Sequence, residues 1–109
     1  MEKVRIKNRK DQTIVVGLDI LSNSKGIAFI AHGLSGFKEQ THILAIAEAF
    51  WESNYSTIRW DSTNTLGESD GRMEDATVTS SFEDLEDVIG WASNQEWFNE
   101  PFILTGHSL

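Results

Sequence analysis

The run IAFIAH at residues 27–32 most constrains the fold of this chain, because its odd-numbered and even-numbered positions both carry apolar residues. Strands with that pattern are buried on both faces, as the strands of a parallel sheet are. Apolar residues then recur at helical spacing in two later segments. These residues are Ile43, Ile46, Ala47 and Phe50 in the first segment and Phe82, Leu85, Val88, Ile89 and Ala92 in the second. Buried strands that alternate with helices predict an α/β protein with a mostly parallel sheet.

An antiparallel hairpin is expected to precede this sheet. VRIK and TIVVGLDIL (13–21) read as two strands, and the turn-rich NRKDQ separates them. YSTIRW (55–60) and FILT, which follows Pro101, predict two further strands. Only one proline and no low-complexity tract are present, so no linker is indicated. The expected order is strand, strand, strand, helix, strand, helix and strand, and residues 1–109 are expected to form one small domain or part of a larger one.

The segment between the last two predicted strands is rich in polar and acidic residues. Residues 61–79 read as a long polar loop, and the pattern Ser-x-x-Glu/Asp at Ser80 or Ser81 predicts the start of the second helix. The acidic side chains that follow are expected on the solvated side of that helix, near its N-terminus. They are Glu83, Asp84, Glu86 and Asp87. The four tryptophans, Trp51, Trp60, Trp91 and Trp97, are expected in the core or half-buried.

Composition excludes several classes of site and partner. The chain has no cysteine, which excludes disulfides and thiolate metal sites, and it contains no nucleotide-binding glycine motif. A net charge of −8 is expected to repel nucleic acid and anionic membranes. The basic start, MEKVRIKNRK, leads into no signal-peptide core, and no stretch approaches the ~20 apolar residues that span a bilayer. We therefore expect a cytoplasmic protein without nucleic-acid or membrane partners, and the oligomeric state stays open.

The last residues, TGHSL at 105–109, place a serine directly after a predicted buried strand. Gly106, His107 and Ser108 match the first part of G-x-S-x-G, the tight turn that exposes a nucleophilic serine at the edge of a sheet. Glycine suits that turn because a side chain would collide across it. Two interpretations are open: Ser108 is a nucleophile, or it caps a helix that follows the strand.

A second turn of this kind, AHGLSG at 31–36, also follows a predicted buried strand. In acyl transfer a carbonyl oxygen becomes negative, and backbone N–H groups must already be aimed at it. The turn at His32 and Gly33 allows the N–H of Leu34 to face such an oxygen, and the second donor is predicted to be the N–H of Leu109. Two such turns together favour the catalytic interpretation of Ser108.

The order of hairpin, IAFIAHGLSG, helix, IRWD, GESDGRMEDAT, helix and FILTGHSL resembles the N-terminal half of the α/β-hydrolase superfamily. Within it, the chain is similar to the branch of esterases and serine aminopeptidases that includes cinnamoyl and feruloyl esterases and monoacylglycerol lipases. Relatives often carry a histidine in the loop after the fourth strand, where this chain has Leu66. Because that loop shapes the rim of the site, the departure bears on the substrate rather than on the superfamily.

The resemblance implies a serine hydrolase that cleaves small carboxylic esters without a cofactor or metal. Ser108 is the implied nucleophile, Leu34 and Leu109 the oxyanion donors, and the turn residues support them: His32, Gly33, Gly106 and His107. The chain order in this superfamily is serine, acid, histidine, so the acid and base are expected beyond residue 109. Residues 1–109 alone therefore lack a complete triad. A peptidase, a thioesterase or a non-catalytic binding domain remains an alternative.

No residue in the chain is a convincing replacement for the absent base and acid. His32 is expected to support its loop, His42 to be solvated or partly packed, and His107 to point away from the serine oxygen. Asp61, at the end of IRWD, is expected to cap a turn. GESDGRMED lacks the spacing of a calcium loop, so Asp70 and Arg72 are expected to hold the loop through local hydrogen bonds.

Overall fold

A computed structural model of the chain describes residues 1–107 and gives five strands and two helices. The strands are β1 (Glu2–Lys7), β2 (Thr13–Asp19), β3 (Ile27–Ala31), β4 (Ser56–Trp60) and β5 (Ile103–Gly106). The helices are α1 (Thr41–Glu52) and α2 (Val78–Ala92), and a short 3-10 helix covers Met73–Asp75. The predicted order of elements is confirmed.

The strands form a single mixed sheet in the order β1-β2-β4-β3-β5. β1 and β2 form the antiparallel hairpin, with Val4 opposite Val16, and β2 pairs with β4 in the same antiparallel sense. β3 is parallel to both of its neighbours, β4 and β5. The carboxyl ends of β3, β4 and β5 therefore lie at one edge of the sheet, where the loops after these strands begin.

Each face of β3 packs against a different helix. Ile27 and Phe29 belong to a buried cluster that includes Val88 and Ala92 of α2. Ile30, on the other face, packs with Ile43 and Ala47 of α1. IAFIAH is apolar at odd and even positions alike because the strand is buried between two helical layers.

The second helix begins earlier than its sequence pattern predicts. Thr77 caps it: the hydroxyl of Thr77 accepts from the Ser80 N–H at 2.9 Å, and the Ser80 hydroxyl accepts from the Thr77 N–H at 3.2 Å. Ser80 is therefore the third residue of a capping box, and the predicted cap at Ser80 or Ser81 was wrong. Of the predicted apolar stripe, Phe82 is 56% exposed and contributes no buried core.

The acidic residues of α2 do not all face solvent. Asp84 is only 2% exposed and accepts hydrogen bonds from Thr63 and Asn8. Asp87 accepts from the backbone N–H of Arg9 at 2.8 Å and pairs with its guanidinium. The prediction of a solvated acidic side was wrong for Asp84, because the start of the loop after β4, residues 62–65, is buried beneath α2 and needs polar partners there.

The tryptophans divide between core and surface. Trp60 is buried at the end of β4, while Trp91 and Trp97 meet edge to face, with ring centroids 5.8 Å apart, against the core that α2 covers. Trp51 instead keeps 49% of its surface exposed near the end of α1. Within residues 1–107, no helix is long and apolar enough to cross a bilayer.

Candidate active site

The two turns singled out in the sequence leave the same edge of the sheet side by side. β3 and β5 pair in parallel with Ala31 opposite Gly106, and the His107 N–H donates to the Ala31 carbonyl at 3.2 Å. A side chain at Gly106 would bring its Cβ to 3.1 Å from that carbonyl oxygen, so the close approach favours glycine. Ser108 and Leu109 lie outside the described residues.

His32 fixes the first turn to the end of β4. Its Nδ1 donates to the Gly33 carbonyl at 2.6 Å, and its Nε2 accepts from the Ser62 N–H at 3.0 Å. Burial lowers the pKa of His32, which is consistent with a neutral ring that uses both nitrogens. His32 therefore supports its loop, as expected, and has no free nitrogen with which to act as a base.

The segment after His32 forms a tight turn that leaves Leu34 at the surface. The Gly36 N–H donates to the Gly33 carbonyl at 2.9 Å, and Ser35 takes a left-handed conformation with φ of 68°. Leu34 is 37% exposed. Its N–H makes no hydrogen bond to any residue within 1–107.

The N-terminal end of α1 contacts the second turn through a pair of histidines. The rings of His42 and His107 lie with their centroids 4.2 Å apart and their planes inclined by 45°. His42 is half-buried in this contact, which confirms the expectation of partial packing. The pair joins α1 to the residue that precedes Ser108 in the chain.

Three carboxylates gather beside the first turn around a buried lysine that the sequence did not single out. The side chains of Glu39, Asp61 and Glu68 place ligand atoms within 4.8 Å of one another, as in a metal site. The ammonium of Lys38 lies among them, 2.7 Å from Asp61 and Glu68 and 3.3 Å from Glu39. A side-chain cation thus already lies at the centre of this group of acids, and together with Lys3, which pairs with Glu39 and Glu68, it offsets two of the three negative charges.

The acidic loop after β4 is held by contacts to residues far away in the chain, whereas the sequence predicted local contacts. Asp61 does accept backbone N–H groups, as a turn cap does, but it is also half of a fully buried ion pair with Lys38. The Asp70 carboxylate accepts from the Thr13 N–H of β2 at 2.8 Å. Arg72 pairs with Glu74 at 2.9 Å, which is the local contact that was expected.

Comparison with known sequences finds relatives over part of the chain. No protein-family model matches the sequence. Two curated Escherichia coli sequences, each an uncharacterized 31.7 kDa protein in the traX-finO intergenic region, are 33% identical over 84 residues, which is 76% of this chain and 29% of theirs. The chain thus spans less than a third of the curated relatives that it matches.

Solved structures resemble the fold more completely. Est1E from Butyrivibrio proteoclasticus, solved with bound ferulic acid, matches 96% of this chain and 42% of its own, with a TM-score of 0.86 and 27% identity. A serine hydrolase homologue from Coxiella burnetii matches 98% and 51%, with a TM-score of 0.82 and 21% identity. Mouse alpha/beta hydrolase domain-containing protein 10 matches 99% and 40%, with a TM-score of 0.75 and 20% identity.

Proposed function

Because the chain belongs to the α/β-hydrolase superfamily and forms the N-terminal part of that fold, we propose that the full-length protein is a serine hydrolase acting on carboxylic esters. The observation that carries the proposal is the adjacency of the two turns, since the His107 N–H reaches the Ala31 carbonyl at 3.2 Å. This contact brings the residues that precede Ser108 beside the turn that carries Leu34. A nucleophile and an oxyanion donor must be neighbours in this way.

The proposed reaction proceeds through an acyl-enzyme. The Ser108 oxygen bonds to the ester carbonyl carbon as a histidine takes its proton, and the resulting oxyanion accepts from the N–H groups of Leu34 and Leu109. The carbon–oxygen bond to the alcohol then breaks, and the histidine returns the proton to the departing alcohol. Water attacks the acyl-enzyme in the same manner, which releases the acid and restores the serine.

The base in this scheme is proposed to lie outside the described residues, and His32 in particular cannot supply it. Both ring nitrogens of His32 are engaged. We propose that the acid and histidine follow Ser108 in the full-length chain, in the order usual for this fold, and that residues 1–109 are one part of the catalytic domain. Gly33 and Gly106 contribute by allowing the two turns to close, and no metal or organic cofactor enters any step.

The substrate is proposed to be a small ester. The ferulic acid bound to Est1E is the carboxylic acid product that hydrolysis of a feruloyl ester yields, and Est1E is 27% identical to this chain. A thioester or peptide bond could be cleaved by the same nucleophile and oxyanion donors. Rates on matched p-nitrophenyl ester, thioester and aminoacyl-anilide substrates separate these possibilities.

A fluorophosphonate probe tests the nucleophile directly. The full-length protein is expected to lose ester hydrolysis as the probe becomes attached to Ser108, because a phosphonylated serine cannot form an acyl-enzyme. Ser108→Ala is the matched control and is expected neither to label nor to hydrolyse. Folded wild-type protein that remains unlabelled would contradict the proposal and leave Ser108 as a helix cap in a binding domain.

A further inference from the structure

A buried ion pair lies at the base of the loop that carries Leu34. We propose that Lys38 and Asp61 form a positioning pair that holds residues 33–38, and with them the oxyanion donor Leu34, against the end of β4. This inference rests on the proposed function, because it assigns a catalytic purpose to the placement of that loop.

The ammonium of Lys38 uses all three of its protons on carboxylates. It donates to Asp61 Oδ2 at 2.7 Å, to Glu68 Oε1 at 2.7 Å and to Glu39 Oε1 at 3.3 Å. Neither Lys38 nor Asp61 has any exposed side-chain surface. Burial alone would lower the pKa of Lys38, but the hydrogen bonds to Asp61 and Glu68 outweigh it and raise the pKa, which keeps the ammonium charged.

The Asp61 carboxylate joins three segments of the chain. Its Oδ1 accepts from the backbone N–H of Lys38 at 2.7 Å, and its Oδ2 accepts from the backbone N–H of Glu68 at 2.8 Å. Asp61 is itself fixed to β2, since its N–H donates to the Val15 carbonyl at 3.1 Å. The carboxylate is therefore a rigid anchor for the loop that contains Lys38.

Leu34 lies between two anchors on the same short segment. On its N-terminal side, the His32 ring accepts from the Ser62 N–H at 3.0 Å. On its C-terminal side, Lys38 is bound to Asp61 through both its backbone and its ammonium. A loop tethered at both ends to residues 61–62 holds the Leu34 N–H in place relative to the sheet edge. Preorganised donors of this kind stabilise an oxyanion without reorganising during the reaction.

The pair is better explained by positioning than by stability. A buried ion pair contributes little net stability compared with apolar residues of the same size, although breaking one is costly. The first part of the loop carries exposed Leu34 and the left-handed Ser35, so it has little apolar packing of its own. Charge-assisted hydrogen bonds supply the fixed geometry that packing does not.

Lys38→Met in the full-length protein tests this role. The matched control is Lys25→Met, which removes an exposed lysine that makes no ion pair within residues 1–107. Because small displacements of an oxyanion donor are costly, kcat on p-nitrophenyl butyrate is expected to fall about 10- to 100-fold in Lys38→Met, with KM changing by less than about threefold. The control is expected to retain wild-type values of both.

Hydrogen exchange gives a readout that does not depend on activity. Amides of residues 33–37 are expected to exchange faster in Lys38→Met, while those of β3 and β4 keep their wild-type rates. Unchanged exchange in 33–37 overturns the inference, as does unchanged kcat in an active protein. Exchange that rises equally in the strands also overturns it, because the lysine would then support the whole fold rather than the loop.

A second variant covers the case in which Lys38→Met does not fold. Lys38→Arg keeps the charge but replaces the compact ammonium with a larger, planar fork whose donors have a different geometry from those of the lysine. It is expected to move kcat and exchange in the same direction by a smaller factor, and wild-type behaviour would contradict the inference. Labelling of wild-type Ser108 by fluorophosphonate decides the proposed function separately, since exchange in 33–37 reports on the pair in either case.

Discussion

The Asp84 carboxylate in α2 accepts two hydrogen bonds from Thr63, one from its backbone N–H and one from its hydroxyl, each 2.7 Å long. Asn8, in the turn between β1 and β2, donates a third at 2.9 Å. One buried carboxylate therefore joins a helix, the loop after β4 and the hairpin turn. Because that loop also contains Ser62, which binds His32, the contact supports the frame of the candidate site.

Asp84→Ala is expected to lower the free energy of unfolding of the full-length protein by about 3 kcal/mol, because it leaves buried Thr63 and Asn8 donors without an acceptor. Glu86→Ala is the matched control in the same helix. Glu86 is an exposed partner of Arg9, and its loss is expected to cost less than about 1 kcal/mol. Urea unfolding measures both, and equal effects of the two variants would contradict the prediction.

The sequence predicted the elements of the fold because their signals are local. The apolar pattern of IAFIAH and the helical spacing of Ile43 and Ala47 lie within single elements and match the buried faces. The burial of Lys38 and Asp84 has no local signal, since their buried partners, Asp61 and Thr63, lie 23 and 21 residues away. From the sequence alone, a lysine or aspartate is predicted to be exposed, because its burial depends on a partner that only the tertiary fold brings near.

The turns of the candidate site were predictable for a related reason. His32 and Gly33 follow a strand that can be recognised locally, Gly106 ends another, and parallel pairing of β3 with β5 then brings them together. The tether from His32 to Ser62 depends on the path of a long loop, which sequence patterns do not specify. The roles of Ser108 and Leu109 stay predictions.

Gly67 and Gly90 form a matched pair for substitution by alanine. A Cβ at Gly67 would overlap the carboxylate of Asp61, whereas one at Gly90, inside α2, would meet no atom within 4 Å. Gly67→Ala is expected to destabilise the protein by about 1–3 kcal/mol through forced displacement of Asp61. Gly90→Ala is expected to stabilise it by about 0.5–1 kcal/mol, because alanine loses less backbone entropy in a helix. Chemical denaturation of both variants checks the opposite signs.

Thr77→Ala is expected to destabilise the full-length protein by about 1 kcal/mol, because it removes the side-chain cap of α2. Ser81→Ala is the control, since Ser81 was one of the two caps predicted from the sequence but lies within the helix. Its effect is expected to stay within about 0.5 kcal/mol. Thermal unfolding of both variants distinguishes the two positions, and a larger loss in Ser81→Ala would place the helix start later in the chain.

Glu68 makes stability depend on acid pH. Its hydrogen bonds to Lys3 and Lys38 lower its pKa from 4.5 to about 2. Because the folded pKa is the lower one, the stabilisation is complete above pH 4.5 and is lost as the pH falls towards 2. The difference in Tm between wild type and Glu68→Gln is therefore expected to shrink across this range.

His32 makes the stability of the fold depend on pH in a second, higher range. Burial lowers its pKa from 6.5, so the folded protein binds fewer protons than the unfolded chain once the pH drops below that value. The stabilisation is complete above pH 6.5 and is lost as the pH falls towards the lowered folded pKa. Protonation also removes the lone pair that accepts the Ser62 N–H.

Nitrogen-15 NMR of the imidazole is expected to show a neutral ring with its proton on Nδ1 at pH 6.5. A proton on Nε2, or a ring that is largely protonated at this pH, would contradict the tether between His32 and Ser62.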